Sequence, residues 1–479
     1  MLVDLRPVNS PVVLVTSHEI AEQISKPSKL FPTSVPKADL RYLEHLLGST
    51  SVLASHGDEW KALRKKFNPG FAPQHLITML PCILGKTSKF VEHLDAFART
   101  GSEFSLVPLI VNLTFDIIGD IVMDVDLGAQ FLDPSRQGEL VRLFSELLDA
   151  YADGKAGYPW WLVPRAEIKR RRLGKRIDVL LKAIIRQKHF EQHRKGKFIG
   201  NNKTRSILSL SLQDTDVLSS DLVDVTSDQL KTFLLAGHDT TSVMLAWVFY
   251  ELSRTPHALD AVRKELDSLL GTETDPEAVY ARLRSVDGRD IVQRMSYVSV
   301  VLKEALRLHP PAATARTPEP GTGFTVRTAT GQEYCLDGTA IYNCNSIIHR
   351  DPSVYGESAD SFVPERWLGG AEDGLSEKPS VDEADEVPDS RKIPAGAWRP
   401  FERGPRACIG QEFATIEARV IIAMVARRYD FTKVGLGEII RDKEDQPMLD
   451  DYGQYKVKSR LYNVGIPSST SLNTSSPHC

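Results

Sequence analysis

The stretch FERGPRACIG at residues 401–410 constrains the fold of this chain more than any other feature of its sequence. Gly404 and Gly410 flank Cys408, and a glycine followed by a proline favours a tight turn that lets the backbone approach a flat ligand. An amphipathic helix pattern begins directly after Gly410, and a thiolate at a helix N-terminus is stabilised by the amide dipoles. Taken alone, the stretch fits a buried structural cysteine as well as it fits a metal-binding thiolate.

A second pattern is VVLKEALRLHPP at residues 300–311, in which Glu304 and Arg307 lie three apart and share a helix face. An exposed ion pair with this spacing is common and contributes little to stability. The apolar residues around the pair predict a buried helix, and a buried ion pair needs a further polar partner. Arg366, in FVPERWL at residues 362–368, is predicted to be that partner.

A third pattern, LLAGHDTTSVMLAW at residues 234–247, places Gly237 and two threonines inside a long apolar helix pattern. Glycine and threonine are poor helix formers, so the pattern predicts a bend or gap that admits a small ligand beside a cofactor. Asp239 and Thr240 would supply a carboxylate and a hydroxyl for proton transfer. The alternative is a bent helix with a solvated aspartate.

The fourth pattern is WKALR at residues 60–64, where Trp60 and Arg64 lie one above the other on a helix face. An indole N–H and a guanidinium can both donate to a carboxylate. Without the other three patterns, a stacked surface pair would explain the spacing equally well.

Together these stretches resemble the cytochrome P450 family of haem-thiolate monooxygenases. FERGPRACIG matches every fixed position of the family's Phe-x-x-Gly-x-Arg-x-Cys-x-Gly, and WKALR, AGHDTT, EALR and PERW match its other elements in the expected order. The resemblance runs from about Leu5 to Pro467. It implies a mainly α fold with a minor β region, a long central helix over a buried haem, and a single catalytic domain at residues 1–467.

The resemblance also implies roles for individual residues and names haem b as the cofactor. Cys408 is expected to be the axial thiolate and metal ligand. Further haem-binding residues are expected to be Arg406, Trp60, Arg64, Arg316 and Phe401. The expected catalytic acid–alcohol pair is Asp239 and Thr240, whereas a structural triad is expected from Glu304, Arg307 and Arg366. By analogy with family positions, the substrate pocket is expected to include Phe233, Ala236, Ala312 and Ala313.

The cysteine spacing and the net charge argue against several other classes of protein. The five cysteines are widely separated and form no CxxC pair, which argues against a zinc site or a thioredoxin-like motif and favours a reducing compartment. A net charge of -4 does not indicate a nucleic-acid partner. Residues 369–391 are acidic and poor in apolar residues, which predicts a flexible surface insertion, and residues 468–479 are predicted to be a disordered tail.

Two stretches bear on membrane attachment. The N-terminal MLVDLRPVNSPVVLVTSHEI has no long apolar core. Residues 106–123 are apolar, but Asn112, Asp116 and Asp120 interrupt them at helical spacing, which predicts a buried helix with one polar edge. The general resemblance to fungal microsomal members makes the cytosolic face of the endoplasmic reticulum the expected location, with association to the membrane surface. A soluble cytoplasmic protein is the alternative.

The leading functional hypothesis is a monooxygenase that inserts one atom of O₂ into a lipophilic small molecule of secondary metabolism, such as a terpenoid or polyketide. Electrons are expected from an NADPH-cytochrome P450 reductase. One alternative is a haem-thiolate isomerase or dehydratase that does not use O₂, and another is a non-enzymatic haem binder. Neither alternative would explain the pair of Asp239 and Thr240.

Overall fold

The long apolar patterns of the sequence form the framework of the fold. The computed structural model describes residues 1–6, 10–152, 154–155, 157–195, 206–368, 393–459 and 461. Its α-helices are His18–Ser25 (α1), Glu44–Leu47 (α2), Gly57–Phe67 (α3), Pro73–Leu76 (α4), Leu80–Thr100 (α5), Leu106–Met123 (α6), Glu139–Tyr151 (α7), Pro164–Lys195 (α8), Ile207–Ser211 (α9), Ser220–Arg254 (α10), Pro256–Leu270 (α11), Pro276–Arg284 (α12), Gly288–Gln293 (α13), Ser296–Leu308 (α14), Asn345–Ile348 (α15), Pro352–Tyr355 (α16) and Gln411–Val425 (α17).

The β component is small. Its strands are Leu2–Val3 (β1), Val12–Val15 (β2), Thr314–Arg316 (β3), Thr325–Arg327 (β4), Glu333–Cys335 (β5) and Ala340–Asn343 (β6). Four of them form a sheet in the order β1-β2-β6-β3, in which only the β2–β6 pair is parallel. Strands β4 and β5 form a separate antiparallel hairpin. The predicted mainly α fold with a minor β region is confirmed.

Helix α10 is the central element of the core. It packs on α6, α8 and α14, and most of its residues from Leu230 to Leu252 are buried. The apolar pattern predicts a start near Asp228, but the helix begins eight residues earlier, at Ser220. The Ser219 side chain caps it by accepting a hydrogen bond from the Leu222 amide at 3.2 Å. A polar first turn therefore hid the true start from an argument based on apolar spacing.

Helix α6 is, among the described residues, the one helix long and apolar enough to cross a membrane. This helix is 67% buried inside the protein, mainly against α10 and α5. Asp116 is fully buried and accepts hydrogen bonds from the amides of Ala129 and Gln130 at 2.7 and 3.3 Å. The helix lies in the core, as its spacing predicts, and Asp116 on its polar edge is hydrogen-bonded. The acidic insertion and the tail predicted from the sequence lie outside the described residues.

Candidate active site

The loop before α17 holds Cys408 in a tight turn. The Cys408 amide donates to the Phe401 carbonyl at 2.8 Å, and the Ala407 amide donates to the Gly404 carbonyl at 3.0 Å. Gly404 has a φ of +73°, and a Cβ there would stand 2.2 Å from the Ser25 carbonyl oxygen of α1. Only glycine satisfies both the left-handed backbone and this close approach. The turn is therefore fixed against α1 by a contact that any side chain would break.

The surroundings of Cys408 shift the pKa of its thiol in opposite directions. Burial among protein atoms raises its pKa, while the amides of Gly410 and Gln411 and the charges of Lys37 and Arg64 oppose the increase. Its side chain is nevertheless solvent-accessible, so the sulfur lines an opening within the protein. A buried thiol normally stays protonated, and a metal ion that binds the thiolate removes that cost.

Helix α3 supplies the first cations near this loop. Trp60 is buried, and the Arg406 guanidinium lies 4.7 Å from the centre of its indole ring. Arg64 donates through Nη1 to the Ala407 carbonyl at 3.1 Å, and Arg406 donates through Nη1 to the Ser55 carbonyl at 2.8 Å. The structure thus brings Trp60, Arg64 and Arg406 together beside Cys408.

Strand β3 ends in another cation at the same place. Arg316 is fully buried, and its Nη1 donates to the Ser34 hydroxyl and the Val35 carbonyl, each at 3.1 Å. Its Nε and Nη2 have no hydrogen-bond partner among the described residues. Its Nη2 lies 3.9 Å from a Glu402 carboxylate oxygen, which is an ion pair but too long for a hydrogen bond. A buried donor without an acceptor is costly, so a further anion at this place would stabilise the side chain.

Lys37 completes the cationic cluster, and sequence reasoning missed it. Its backbone pairs with that of Arg316 through an isolated antiparallel β-bridge. Burial, together with the nearby charges of Arg316 and Arg406, lowers the pKa of its ammonium group to about 7. No motif contains Lys37, and it stands in an irregular, proline-containing stretch, so no sequence signal marks it.

The balance of charge tests whether a haem suits this place. Four cations, at Lys37, Arg64, Arg316 and Arg406, interact with one another or with the Cys408 thiol, and Glu402 is the acidic group that offsets them. Burial and the charges of Arg316 and Arg64 lower the pKa of Arg406 to about 10. A planar cofactor with two carboxylates and an iron would satisfy both the unpaired donors and the thiol. The residues fit a haem.

The middle of α10 contains the predicted proton-transfer pair. A Cβ on Gly237 would lie 2.7 Å from Ile118 Cδ1, so close packing on α6 explains this glycine. Thr240 is accessible, and its hydroxyl donates to the Ala236 carbonyl at 2.7 Å. Asp239 is 8% exposed, and burial raises the pKa of its carboxyl group to about 7. The aspartate can therefore exchange a proton near neutral pH.

The four predicted pocket residues divide into two groups. Ala236, Ala312 and Ala313 are exposed although they lie in or next to buried elements. Phe233, in contrast, is only 4% exposed and packs edge-on against Phe67 and Phe71, with ring centroids 5.2 Å apart in each pair. The alanines line accessible space, and Phe233 belongs to an aromatic cluster behind it.

Glu304 is the centre of a dense polar network. Its carboxylate accepts two bonds from Arg307, at 2.9 and 2.8 Å, and one from Arg366 at 3.0 Å. The Val363 amide and the Trp367 indole N–H each donate to it at 2.9 Å. Glu304 and Arg307 are both fully buried. The structure brings the predicted triad together, and sequence reasoning missed the contribution of Trp367.

Phe401 lies in the Cys408 loop. Its ring stands 6.2 Å from that of Trp398 in an edge-on arrangement, and its carbonyl receives the Cys408 amide. Trp398 in turn donates to the Lys303 carbonyl at 3.0 Å, which ties this side of the loop to α14.

Comparison with known proteins agrees with this geometry. The family model described as Cytochrome P450 matches residues 2–452. A cytochrome P450 monooxygenase, acrF of Aspergillus aculeatus, is 33% identical over 439 residues, which cover 90% of this chain and 83% of that protein. A bifunctional cytochrome P450/NADPH–P450 reductase of Gibberella moniliformis is 34% identical over 211 residues, or 43% of this chain and 15% of that protein. A crystal structure of a cytochrome P450 shares the fold with a TM-score of 0.68 at 18% identity, covering 96% of this chain and 93% of the other.

Proposed function

This chain belongs to the cytochrome P450 family, and from that premise we propose how its own residues hold the haem, move protons and select a substrate. It is a haem-thiolate monooxygenase with haem b as its cofactor. When bound, the haem supplies the activation of molecular oxygen and the insertion of one oxygen atom into the substrate. An isomerase or dehydratase that does not use O₂, or a passive haem binder, is not favoured.

The observation that carries the proposed site is the accessible Cys408 thiol beside a cluster of four cations that a single acidic neighbour, Glu402, offsets among the described residues. Cys408 would bind the iron through its sulfur. Arg316, whose buried Nε and Nη2 make no hydrogen bond with a described residue, would hold one haem carboxylate, and Lys37, Arg64 and Arg406 stand beside it. Charge-assisted hydrogen bonds of this kind are roughly twice as strong as neutral ones.

Asp239 and Thr240 are proposed to deliver the protons that the oxygen chemistry of a bound haem would require. The raised pKa of Asp239, about 7, lets the carboxyl group take a proton from water and release it within the same pH range. Thr240 holds its hydroxyl in place by donating to the Ala236 carbonyl, and the oxygen keeps its lone pairs free to accept from a water molecule. The two side chains thus orient and resupply a proton.

A lipophilic small molecule is proposed as the substrate, in keeping with a terpenoid or polyketide of secondary metabolism. Ala236, Ala312 and Ala313 provide small apolar side chains that face accessible space. Apolar walls with few polar groups favour a ligand that buries hydrocarbon surface.

The family uses a reductase as its redox partner, and a separate NADPH-cytochrome P450 reductase is proposed for this chain. The similarity to a protein that carries such a reductase supports the choice of NADPH as the electron source. Association with the cytosolic surface of the endoplasmic reticulum is proposed as well, on the resemblance to microsomal members.

Substitution of Thr240 by alanine tests the proton-delivery role. We expect folding and haem content to survive, because the change is small and, among the described residues, the Thr240 hydroxyl bonds only to the Ala236 carbonyl of its own helix. NADPH consumption should continue with a lower yield of product and more hydrogen peroxide. Thr241→Ala is the matched control, since Thr241 is buried on the same helix and should leave the ratio of product to NADPH unchanged. An unchanged ratio in Thr240→Ala would show that the hydroxyl has no such role.

A further inference from the structure

An acidic residue of the Cys408 loop has an unfavourable backbone conformation. Glu402 has a φ of +59°, in the left-handed region. Glycine adopts this region freely, whereas a residue with a Cβ is strained in it. Two residues further along the loop, the left-handed position is occupied by glycine, at Gly404. A glutamate at position 402 therefore indicates that the contacts of its side chain outweigh the backbone strain.

The Glu402 carboxylate is almost completely enclosed. The side chain is 8% exposed, and its Oε1 accepts from the Ser25 hydroxyl at 2.9 Å and from the Arg399 guanidinium. Arg399 is fully buried and also donates to the Ser25 hydroxyl, at 2.5 Å. Burial opposes ionisation, but the charges of Arg399 and Arg316 outweigh it and lower the pKa of the Glu402 carboxyl group to about 2. Glu402 is thus a fixed negative charge that solvent screens only weakly.

The second carboxylate oxygen of Glu402 faces the cationic cluster. Oε2 lies 3.9 Å from Arg316 Nη2. Arg316 already donates through Nη1 to Ser34 and Val35, so Glu402 stands on the side of the guanidinium where Nη2 has no hydrogen bond with a described residue. The charge of Glu402 also opposes the fall in the pKa of Lys37. The carboxylate therefore acts on two of the cations proposed to surround a haem carboxylate.

We propose that Glu402 is a positioning residue whose buried charge, acting beside Arg316, lowers the potential at which the haem iron accepts an electron. This role rests on the haem site proposed above. Ferric haem carries one positive charge more than ferrous haem, so a fixed negative charge nearby favours the ferric form. Reduction adds one electron from the reductase, and Glu402 neither makes nor breaks a bond. Burial and charge around a haem are among the means by which a protein sets its potential.

The contacts of Glu402 favour this role over a purely structural one. Its Oε1 joins the loop to α1 through Ser25 and Arg399, and its Oε2 faces Arg316 on β3. A residue that only fastened the loop to α1 would need the first set of contacts alone. The close approach of Gly404 to the Ser25 carbonyl already fixes the loop against that helix. The contact with Arg316 is therefore the one that fastening the loop does not explain.

A redox titration of the haem-loaded protein, followed by its absorption spectrum, tests the proposal. Glu402→Gln keeps the shape of the side chain and removes its charge. We expect it to shift the reduction equilibrium about tenfold towards ferrous haem, which for one electron is a rise of about 59 mV in the midpoint potential. Glu402→Gly removes the charge and also relieves the backbone strain, and it should raise the potential as well. Glu402→Asp retains the charge and should shift the equilibrium less than about threefold.

Two matched controls separate the charge from the packing. Ser25→Ala removes the hydroxyl that donates to Glu402 and changes no charge. Glu333→Gln removes a carboxylate that is exposed, so solvent screens its charge. Both should leave the midpoint potential unchanged. The urea midpoint of the haem-free protein is measured alongside, and we expect Ser25→Ala and Glu402→Gln to lower it, since each loses a buried hydrogen bond.

The carbon monoxide difference spectrum distinguishes a failure of this role from a failure of the haem site. If the unaltered protein lacks the spectrum of a thiolate-bound haem, the proposed haem site is wrong and this role falls with it. If the spectrum is intact and Glu402→Gln and Glu402→Gly leave the potential unchanged, the role of Glu402 alone is wrong. The role is also wrong if Ser25→Ala or Glu402→Asp raises the potential as far as Glu402→Gln does, since packing would then set it.

Discussion

Removing the Glu304 carboxylate should destabilise the protein strongly. Glu304→Ala leaves Arg307 fully buried without its bidentate partner, and it removes the acceptor for Arg366, Val363 and Trp367. Arg307 keeps bonds to the carbonyls of His349 and Ser361, both at 2.8 Å, so the guanidinium stays in place as an uncompensated buried charge. Breaking such a pair costs about 3–5 kcal/mol.

That cost is comparable with the whole stability of a typical protein, which is about 5–15 kcal/mol. We therefore expect a large fall in the urea midpoint of unfolding and little haem retained per chain, measured by the carbon monoxide difference spectrum. Glu333→Ala is the control, because it breaks an exposed pair with Arg327 at 2.7 Å and should cost less than about 1 kcal/mol. If Glu304→Ala unfolds at the same urea concentration as Glu333→Ala, the buried network does not hold the fold.

Three further changes have defined outcomes. Lys37→Met should speed haem transfer to apomyoglobin by about tenfold or more, because the haem carboxylate would lose a charge-assisted bond. The same change should raise the melting temperature of the haem-free protein. Lys61→Glu with Lys65→Glu should slow reduction by the reductase at low salt without changing haem content, because these lysines lie on α3 beside the Cys408 loop. The free energy of unfolding, measured with urea, should fall with rising pH in the unaltered protein, because burial raises the pKa of Glu417 well above 4.5. Glu417→Gln should abolish this fall.

Each of these three predictions would be contradicted by a defined result. Unchanged haem transfer in Lys37→Met would remove that residue from the haem site. Equal reduction rates at low ionic strength would exclude the α3 lysines as a docking face. For Glu417, the folded protein retains a proton that the unfolded chain releases above about pH 4.5, so the free energy of unfolding falls as pH rises. A glutamine variant with the same slope would contradict this assignment.

Local spacing predicted the parts of the site that lie on single helices. Glu304 and Arg307 are one helical turn apart, and so are Trp60 and Arg64. Their spacing in the sequence is therefore enough to predict that each pair lies on one face of a helix. Helix α11 spans Pro256–Leu270, and both of its ends are marked in the sequence, because a proline starts it and a glycine follows it. The start of α10 was missed because its first turns are polar and depend on the Ser219 cap.

Contacts between distant segments were beyond such reasoning. Lys37 reaches the site only because β3 passes beside it, and that pairing joins residues nearly three hundred positions apart. Gly404 stands in the predicted turn, but its close approach to the Ser25 carbonyl depends on where α1 packs. Neither contact leaves a periodic signal in the sequence, since each depends on the assembled sheet and helices.

The cationic cluster links the stability of the protein to its cofactor. Arg316 and Lys37 are held close together by the bridge between their backbones, so the fold itself imposes their repulsion. Glu402 offsets this repulsion only in part, so in the haem-free protein the remaining repulsion and the Arg316 nitrogens without a hydrogen bond oppose folding. A haem carboxylate would reverse both effects, and a ligand that binds only the folded state stabilises it. Lys37→Met should therefore have two opposite effects. It should stabilise the haem-free protein, because it removes a charge that its neighbours repel. It should weaken haem binding, because it removes a charge that attracts the haem carboxylate. A purely structural lysine would change both in the same direction, which makes the pair of measurements decisive.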